Sequence, residues 1–328
     1  MIYVETGSVD VCFNFGLEYY LTLEKPLPDT VFLFWRTTPT LMVGRYQNVL
    51  EEIDRAYADE RGIRVVRRMS GGGTIYTDLG GWQFTFIEPD EGEDIQFQKY
   101  LAPVIAALGE LGVEAAFNGR NDLAIGGQKI SGSAQYRLNG RVVHHGSLLF
   151  DTDLKEMAAA TTVDRYKIES KGIKSVRDRV TNIAEHLAQP MDALAFKERV
   201  VRHILGPDGT AYELTDADRA RAAAIGQERF AAWESVYAQG PAFSIRREGH
   251  FPGGTVRFDL EVKKGVIRAA AVSGDFFATL DGEAIARALT GCRYERDAVQ
   301  EALDRAGVSL YRVSNREMAE AIAGDTFS

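Results

Sequence analysis

The chain is predicted to be an α+β protein of mixed α/β character, divided into two unequal parts. Three features lead there. Strand-like and helix-like runs alternate along 328 residues without an internal repeat or a low-complexity segment. From Asn118 to Asp151 the pattern becomes short strands joined by tight turns. Around Gly240 and Pro241, "AQGPAF" punctuates the chain and sets off a smaller tail.

The elements follow in order. "TVFLFWRTTPTLMVGRYQN" opens with an apolar strand, turns at Pro39 and resumes through Leu41 to Val43. "LEEIDRAYADERG" reads as a surface helix ended by Gly62. "IRVVRR" is a short strand, and three consecutive glycines follow it. "GWQFTFIEP" alternates through Phe84 and Phe86 with the period of two of a half-buried strand. "DIQFQKYLAPVIAALGELG" is helical, with Leu101, Ile105, Leu108 and Leu111 along one side, and Pro103 in its first turns or at a bend. "DLAI", "QKISGSAQY" and "RVVHHGSLLF" are strands, with turn signals at Gly126 and at Asn139–Gly140. Helices dominate from Asp192 to Ala238. The tail reads as a hairpin, "TVRFDLEVKKGVIRAAAV", followed by two helices. The expected domains are therefore residues 1–243 and a small α+β unit at 244–328.

Composition narrows the functional classes. The apolar fraction is 45% and the charged fraction 26%, ordinary for a soluble globular protein. No apolar run approaches the roughly 20 residues that span a bilayer, so no membrane partner is expected. The N-terminus lacks a secretory pattern. Cys12 and Cys292 stand far apart and in no metal-ligand spacing, which suits a reducing, cytoplasmic location. A formal charge of −9 argues against nucleic acid as the main partner.

Two stretches carry chemistry. In "RRMSGGGTIYTDLGGWQFTFI", Gly71, Gly72 and Gly73 can aim several backbone N–H groups at one anion. Arg67 and Arg68 add forked donors suited to phosphate or carboxylate. From the glycines alone a flexible hairpin tip fits equally well. Strand patterns on both sides favour a scaffolded loop, and the absence of a Gly-Lys-Ser/Thr ending excludes a P-loop. In "GRNDLAIGGQKISGSAQY", regular alternation puts Lys129, Ser131, Ser133 and Gln135 on one face, with Ile130, Gly132, Ala134 and Tyr136 on the other. Small neighbours around one ammonium would let an anionic ligand lie flat on the strand. Asn121 and Asp122 could add an amide and a Mg²⁺-binding carboxylate. His144 and His145 face opposite sides of a strand and so cannot share one metal. One belongs in the core or the pocket and the other at the periphery, depending on register.

Taken together, "RRMSGGGTIYTD", "GRNDLAIGGQKISGSA", "HHGSLL" and "SKGIKSVRDRVTNI" closely resemble the lipoate–protein ligase A family. "MVGRYQN" and "VSGDFFATLDGEAIARALTGCRYE" extend the resemblance over nearly the whole chain. It implies a catalytic domain related to class II aminoacyl-tRNA synthetases and biotin ligases, with a small accessory domain. It also implies a two-step reaction. Lipoate and ATP form lipoyl-adenylate and pyrophosphate, and a carrier lysine then takes the acyl group as an amide. The carrier would be a glycine-cleavage H-type protein or an E2 lipoyl domain, and the enzyme a monomer.

By that resemblance Lys129 is the catalytic cation, touching both the carboxylate and the α-phosphate. Arg68, Ser70, Gly71, Gly72, Gly73, Thr74, Ile75 and Tyr76 would line the lipoate and ATP site. Asn121, Asp122, Ser131, Gly132, His145, Gly146 and Ser147 would complete it. Arg120 belongs to the same motif, and Asp122 would meet Mg²⁺ through the nucleotide. The charged segment "ESKGIKSVRDRV", which contains Gly172, is expected to be a closing loop that excludes water from the adenylate. Val43, Phe84 and Leu148 are candidates for an acyl tunnel, and octanoate should fit the same tunnel because apolar pockets discriminate poorly by chain type.

Two positions depart from the family's usual loop. Thr77 stands where histidine commonly precedes the aspartate, and Gly81 stands where asparagine often follows glycine. These leave Lys129 and the glycines intact but bear on acyl and carrier preference. Two rival functions differ in kind. One is an ATP-independent octanoyl or lipoyl transferase on the same fold. The other is a catalytically silent acyl- or nucleotide-binding protein, for which Thr77 is the one supporting feature.

Overall fold

The computed structural model describes residues 1–328 apart from 46, 48, 92–94, 120, 162–178, 240–242, 253, 275–281, 309, 311–312 and 325–328. The closing-loop expectation at 169–180 therefore lies largely outside the described residues, as does Arg120. In chain order the first strands are β1 (Ile2–Val4), β2 (Val31–Trp35), β3 (Thr40–Val43), β4 (Arg64–Arg67), β5 (Ile75–Thr77) and β6 (Gly81–Pro89). They are followed by β7 (Ala116–Asn118), β8 (Asp122–Ile125), β9 (Gln128–Leu138), β10 (Arg141–Leu149) and β11 (Thr210–Tyr212). Last come β12 (Phe243–Phe251), β13 (Gly254–Lys263) and β14 (Val266–Gly274).

Eight strands form one mixed sheet in the order β11-β1-β2-β6-β10-β9-β8-β7, parallel only where β1 meets β2 and β11. The period-2 alternation sorts side chains between two cores. Phe32, Phe34, Phe84, Phe86 and Leu148 pack under the helices Phe97–Gly109 and Ala193–Leu205. Leu33, Trp35, Tyr136 and Val143 face the other way, against the helix Val11–Leu23 and residues of Asp216–Gly226. Each fully buried phenylalanine contributes roughly 1.5–3 kcal/mol to that packing. The turns expected at Gly126 and Asn139 are present, with φ of +56° and +87° at Gly126 and Gly127 and +51° and +69° at Asn139 and Gly140.

A small second sheet, order β4-β3-β5, carries the glycine loop between β4 and β5. Both strands pair with β3, β4 parallel and β5 antiparallel, so the two ends of the loop are fixed to one neighbour.

Several elements differ from the pattern read in the sequence. "LEEIDRAYADERG" forms two short helices, Val49–Glu52 and Arg55–Glu60, because the Asp54 side chain accepts the Tyr57 N–H and caps a new start. Within the stretch expected to be helical, Thr210–Tyr212 adds an edge strand beside β1. The sequence pattern does not announce the Val11–Leu23 helix: it is apolar on most sides, and its one polar row, Asn14, Glu18 and Thr22, is buried like the rest instead of marking a solvent face.

Beyond residues 240–242, β12, β13 and β14 form an antiparallel sheet backed by helices Gly282–Leu289, Arg296–Arg305 and Asn315–Ala323. The last helix adds to the two expected and is opened by a capping box between Ser314 and Glu317. This unit buries a core of its own around Phe258, Leu260, Leu303 and Met318.

Candidate active site

The glycine loop is held rigidly by its own arginine. Arg68 is buried, and its guanidinium donates to the carbonyls of Met42 at 2.7 Å, Gly71 at 2.8 Å and Gly73 at 2.6 Å, and to Ser70 Oγ at 3.2 Å. Burial lowers its pKa to about 10, so it stays charged at neutral pH. Arg67 lies on the opposite side of the strand, donating to the carbonyls of Val236, Gly44 and Gln47. The arginines expected as anion donors thus bind backbone carbonyls and brace the loop. Gln47 braces it further, accepting from Gly44 N at 2.8 Å and Thr74 Oγ1 at 3.0 Å.

The glycines serve different ends. Gly72 has φ +91°, which a side chain would resist. A Cβ at Gly44 would fall 2.0 Å from the Gly72 carbonyl, so the β3 end and the loop need bare backbone to meet. Gly73 has neither constraint: a Cβ there would meet nothing within 4 Å. Its bare backbone borders an open cavity.

Lys129 reaches that cavity through an irregularity in pairing. Ala124 pairs with Lys129 but Leu123 pairs with Ser131, leaving Ile130 as an extra residue in β9. Such a bulge re-aims the side chains on its two sides. Ile130 and Ser131 both turn away from the cavity, so the strict alternation expected for this strand is broken. Lys129 does not share a face with Ser133 and Gln135. Its Nζ lies over Gly132, 3.2 Å from where a Cβ would stand, on the side of Ala134 and Tyr136. Gly132 leaves room for the ammonium. Asp122 Oδ1 lies 2.8 Å from Lys129 Nζ. The Lys129 backbone is clasped from its other edge, donating to the Arg179 carbonyl at 2.8 Å and accepting Thr181 N at 3.1 Å. Asn182 anchors that clasp by exchanging two side-chain hydrogen bonds with the Thr152 backbone, at 3.0 and 2.9 Å.

Register settles the two histidines. His144 is fully buried among Tyr100, Phe84 and Phe97, its ring stacked on Tyr100 at 4.4 Å. Burial, with a smaller contribution from neighbouring His145, pushes its pKa down to about 3. His145 lines the cavity instead, so neither ring is peripheral. His145 Nδ1 lies 3.2 Å from the Glu18 carboxylate, which can only accept, so Nδ1 carries the proton. Its Nε2 is hydrogen-bonded to the Ser70 hydroxyl at 2.6 Å. Thr85 and Tyr136 also donate to Glu18, at 2.9 and 3.0 Å, and a fully paired buried carboxylate results.

Two cavities meet at Lys129. The first, about 120 Å³, is lined by Phe15, Trp35 and Met42 at one end and by Asn121, Lys129 and Gly132 at the other. Gly72, Gly73, Thr74, Ile75, Gly146 and Ser147 add to its walls, and Arg68, though spent on the loop's carbonyls, borders it as expected. The second, about 330 Å³, shares Thr74, Ile75, Lys129, Gly132 and Ser147 and adds Tyr76, Ser131 and Arg179. Ser70 stands behind the wall on His145, and Asn121 Nδ2 donates to the Ser133 carbonyl at 2.7 Å. The expected tunnel residues are elsewhere. Phe84 and Leu148 sit on the opposite face of the sheet, and Val43 packs in a cluster behind β3. Phe15, Glu18, Trp35, Met42 and Gln83 take part unpredicted. Asp10, which caps the helix bearing Phe15 and Glu18, is the one sequence signal for that helix.

The cysteines lie outside both cavities. Burial raises both thiols, Cys12 against a partly opposing Arg64 and Cys292 to about 11. Neither is a ready thiolate.

An apolar channel bordered by the glycine loop and opening onto a lysine, beside a roomier cavity that shares Thr74, Ile75 and that lysine, defines a ligase-type site where an apolar acid can meet a nucleotide. Similarity to known proteins makes this specific. The model of the lipoyl protein ligase A/B catalytic domain matches residues 10–205, and that of the bacterial lipoate protein ligase C-terminus matches residues 240–322. Lipoate-protein ligase LplJ of Bacillus subtilis is 39% identical over 316 residues, covering 94% of this chain and 95% of that protein. Among solved structures, the bipartite lipoate protein ligase of Thermoplasma acidophilum matches with a TM-score of 0.65 at 24% identity, over 72% of this chain and 95% of that one. A lipoate-protein ligase A bound with ATP matches with a TM-score of 0.62 at 23% identity, over 72% and 97%. The chain belongs to the lipoate–protein ligase family.

Proposed function

We propose that this ATP-dependent lipoate–protein ligase seats lipoate in the Phe15–Trp35–Met42 channel and the nucleotide in the larger cavity. The position of Lys129 Nζ at their junction carries this reading. The lipoate carboxylate attacks the α-phosphorus, an oxygen–phosphorus bond forms, and the bond to pyrophosphate breaks. Two anions must approach, and Lys129 offsets their repulsion while following the charge as it builds. Asp122 holds the ammonium over Gly132 beforehand. The amine of a carrier lysine then attacks the acyl carbon, AMP departs, and the amine's extra proton is released.

Among the described residues no three His, Cys, Asp or Glu side chains gather into a metal site. Asp122 suits Mg²⁺ that arrives mainly on phosphates, which needs only one or two protein carboxylates. Bound there, the ion would neutralise charge on the leaving pyrophosphate. Octanoate is proposed as a second acid, and an H-type protein or E2 lipoyl domain as acceptor. Both cysteines being raised thiols away from the cavities speaks against a cysteine-borne acyl transfer.

Mass spectrometry of apo carriers incubated with the protein and lipoate or octanoate, with and without Mg-ATP, tests this. A lipoyl mass increment that requires ATP is expected. Acylation from an acyl carrier without ATP, lost in Cys12→Ser or Cys292→Ser, would establish the transferase reading instead.

A further inference from the structure

One departure from the family loop, Thr77, has a structural partner that the reaction does not use. Thr77 is 1% exposed, and its Oγ1 accepts a hydrogen bond from Gln83 Nε2 at 2.8 Å. Gln83 is 4% exposed and lines the channel. The turn joining them is tightly built: a Cβ at Gly80 would fall 1.9 Å from the Asp151 carbonyl, and one at Gly81 3.2 Å from Thr77 Oγ1. Thr77 and Gln83 are thus joined by a turn whose two glycines pack against Asp151, Thr152 and Thr77 itself.

The sheet register locates Gln83 along the channel. Trp35 pairs with Gln83, Gln83 with Ser147, and Ser147 with Gly132, beneath Lys129 Nζ. This row crosses four strands. Gln83 therefore stands two strand spacings, about 10 Å, from the lysine end and directly beside Trp35. A chain whose carboxylate sits at Lys129 brings its far end to Gln83. The other polar groups there are engaged. The Trp35 indole donates to Thr85 at 3.3 Å, and both nitrogens of His145 are bonded to Ser70 and Glu18. Gln83 spends one of its two amide hydrogens on Thr77, and the second has no partner among the described residues.

We propose that Gln83, oriented by Thr77, is a specificity-determining residue that favours an acyl chain ending in a disulfide ring over one ending in a methyl group. The second amide N–H faces the distal end of the chain, where a ring sulfur accepts weakly and is polarisable, while a methyl leaves the amide desolvated and unpaired. Thr77 acts through Gln83 and touches no substrate. This inference rests on the ligase reading and on lipoate lying with its carboxylate at Lys129.

The test is the ratio of kcat/KM for lipoate to that for octanoate, measured by acid-dependent pyrophosphate release with the full chain. Gln83→Met should lower the ratio about tenfold, the scale of one lost hydrogen bond. Thr77→Val should lower it similarly, Thr77→Ser should restore it, and Thr77→Val should add nothing in the Gln83→Met background. A ratio within about twofold of the parent in Gln83→Met overturns the proposal, and that variant decides alone if Thr77→Val fails to fold. So does an undiminished Thr77→Val effect in the Gln83→Met background. If the parent protein releases pyrophosphate with neither acid, the ligase reading itself fails, a distinct result.

Discussion

Ser70 Oγ lies 2.6 Å from His145 Nε2 and so joins the glycine loop to the eight-stranded sheet. The chain of hydrogen bonds runs from Arg68 through Ser70 and His145 to Glu18. Every member is buried. Losing one link leaves a neighbour unpaired in a low-dielectric wall, which costs about 1–3 kcal/mol.

Ser70→Ala should therefore loosen the loop against the channel more than it disturbs the chemistry. The expected result is a rise in KM for lipoate of about tenfold, from roughly 1.4 kcal/mol of lost positioning, with kcat reduced less. Steady-state kinetics at saturating Mg-ATP would check it. An unchanged KM would mean that the contact merely packs the wall.

Asp122→Asn removes the carboxylate that holds Lys129 over Gly132. Because both side chains are partly exposed, the pair adds little to stability. Adenylation should fall by about tenfold at most while thermal stability stays near the parent value. Melting curves beside initial rates would separate the two effects.

Asn182→Ala should free the backbone clasp on Lys129. Without the paired bonds to Thr152, residues 179–181 lose their anchor beside β9. Hydrogen exchange should quicken at the amides of Lys129 and Thr181, with a parallel loss of acylation. Faster exchange confined to residues near Thr152 would assign Asn182 a local role.

His144→Phe should flatten the pH dependence of stability. In the folded protein His144 remains neutral down to about pH 3, whereas the unfolded chain takes up its proton near pH 6.5. Its contribution is thus fully present above about pH 6.5 and is lost as pH falls toward 3, at up to about 1.4 kcal/mol per pH unit. Denaturant unfolding of parent and variant at pH 7 and pH 5 should show the parent losing more. Equal losses would contradict the assignment.

How much of this was legible in the chain varies with the physics of each residue. The strands around Phe84, Phe86 and His144–His145 follow from alternation, and the Gly126 and Asn139 turns from their residue types. Alternation does not reveal which face of the sheet borders the channel, so Phe84 and Leu148 read as tunnel candidates although they belong to the opposite core. Lys129 changes face only because β9 carries one more residue than β8 at Ile130, a fact of pairing rather than composition. Glu18 shares one helix face with Asn14 and Thr22, a row that is buried rather than solvated, so its role emerges only when Tyr136, Thr85 and His145 converge on it. The glycine loop and Lys129 stand out from residue type and small neighbours alone, as an anion site and a cation, whereas their roles in one adenylating reaction follow only from the family resemblance.

Lipoate-dependent exchange of labelled pyrophosphate into ATP, compared between the parent protein and Lys129→Ala, addresses the central claim most directly, because it isolates adenylation from any carrier. Exchange that requires lipoate, and that falls by about 10² to 10³ in the variant, is the expected result for a lysine that stabilises the transition state. Exchange retained at the parent rate in Lys129→Ala would contradict the claim.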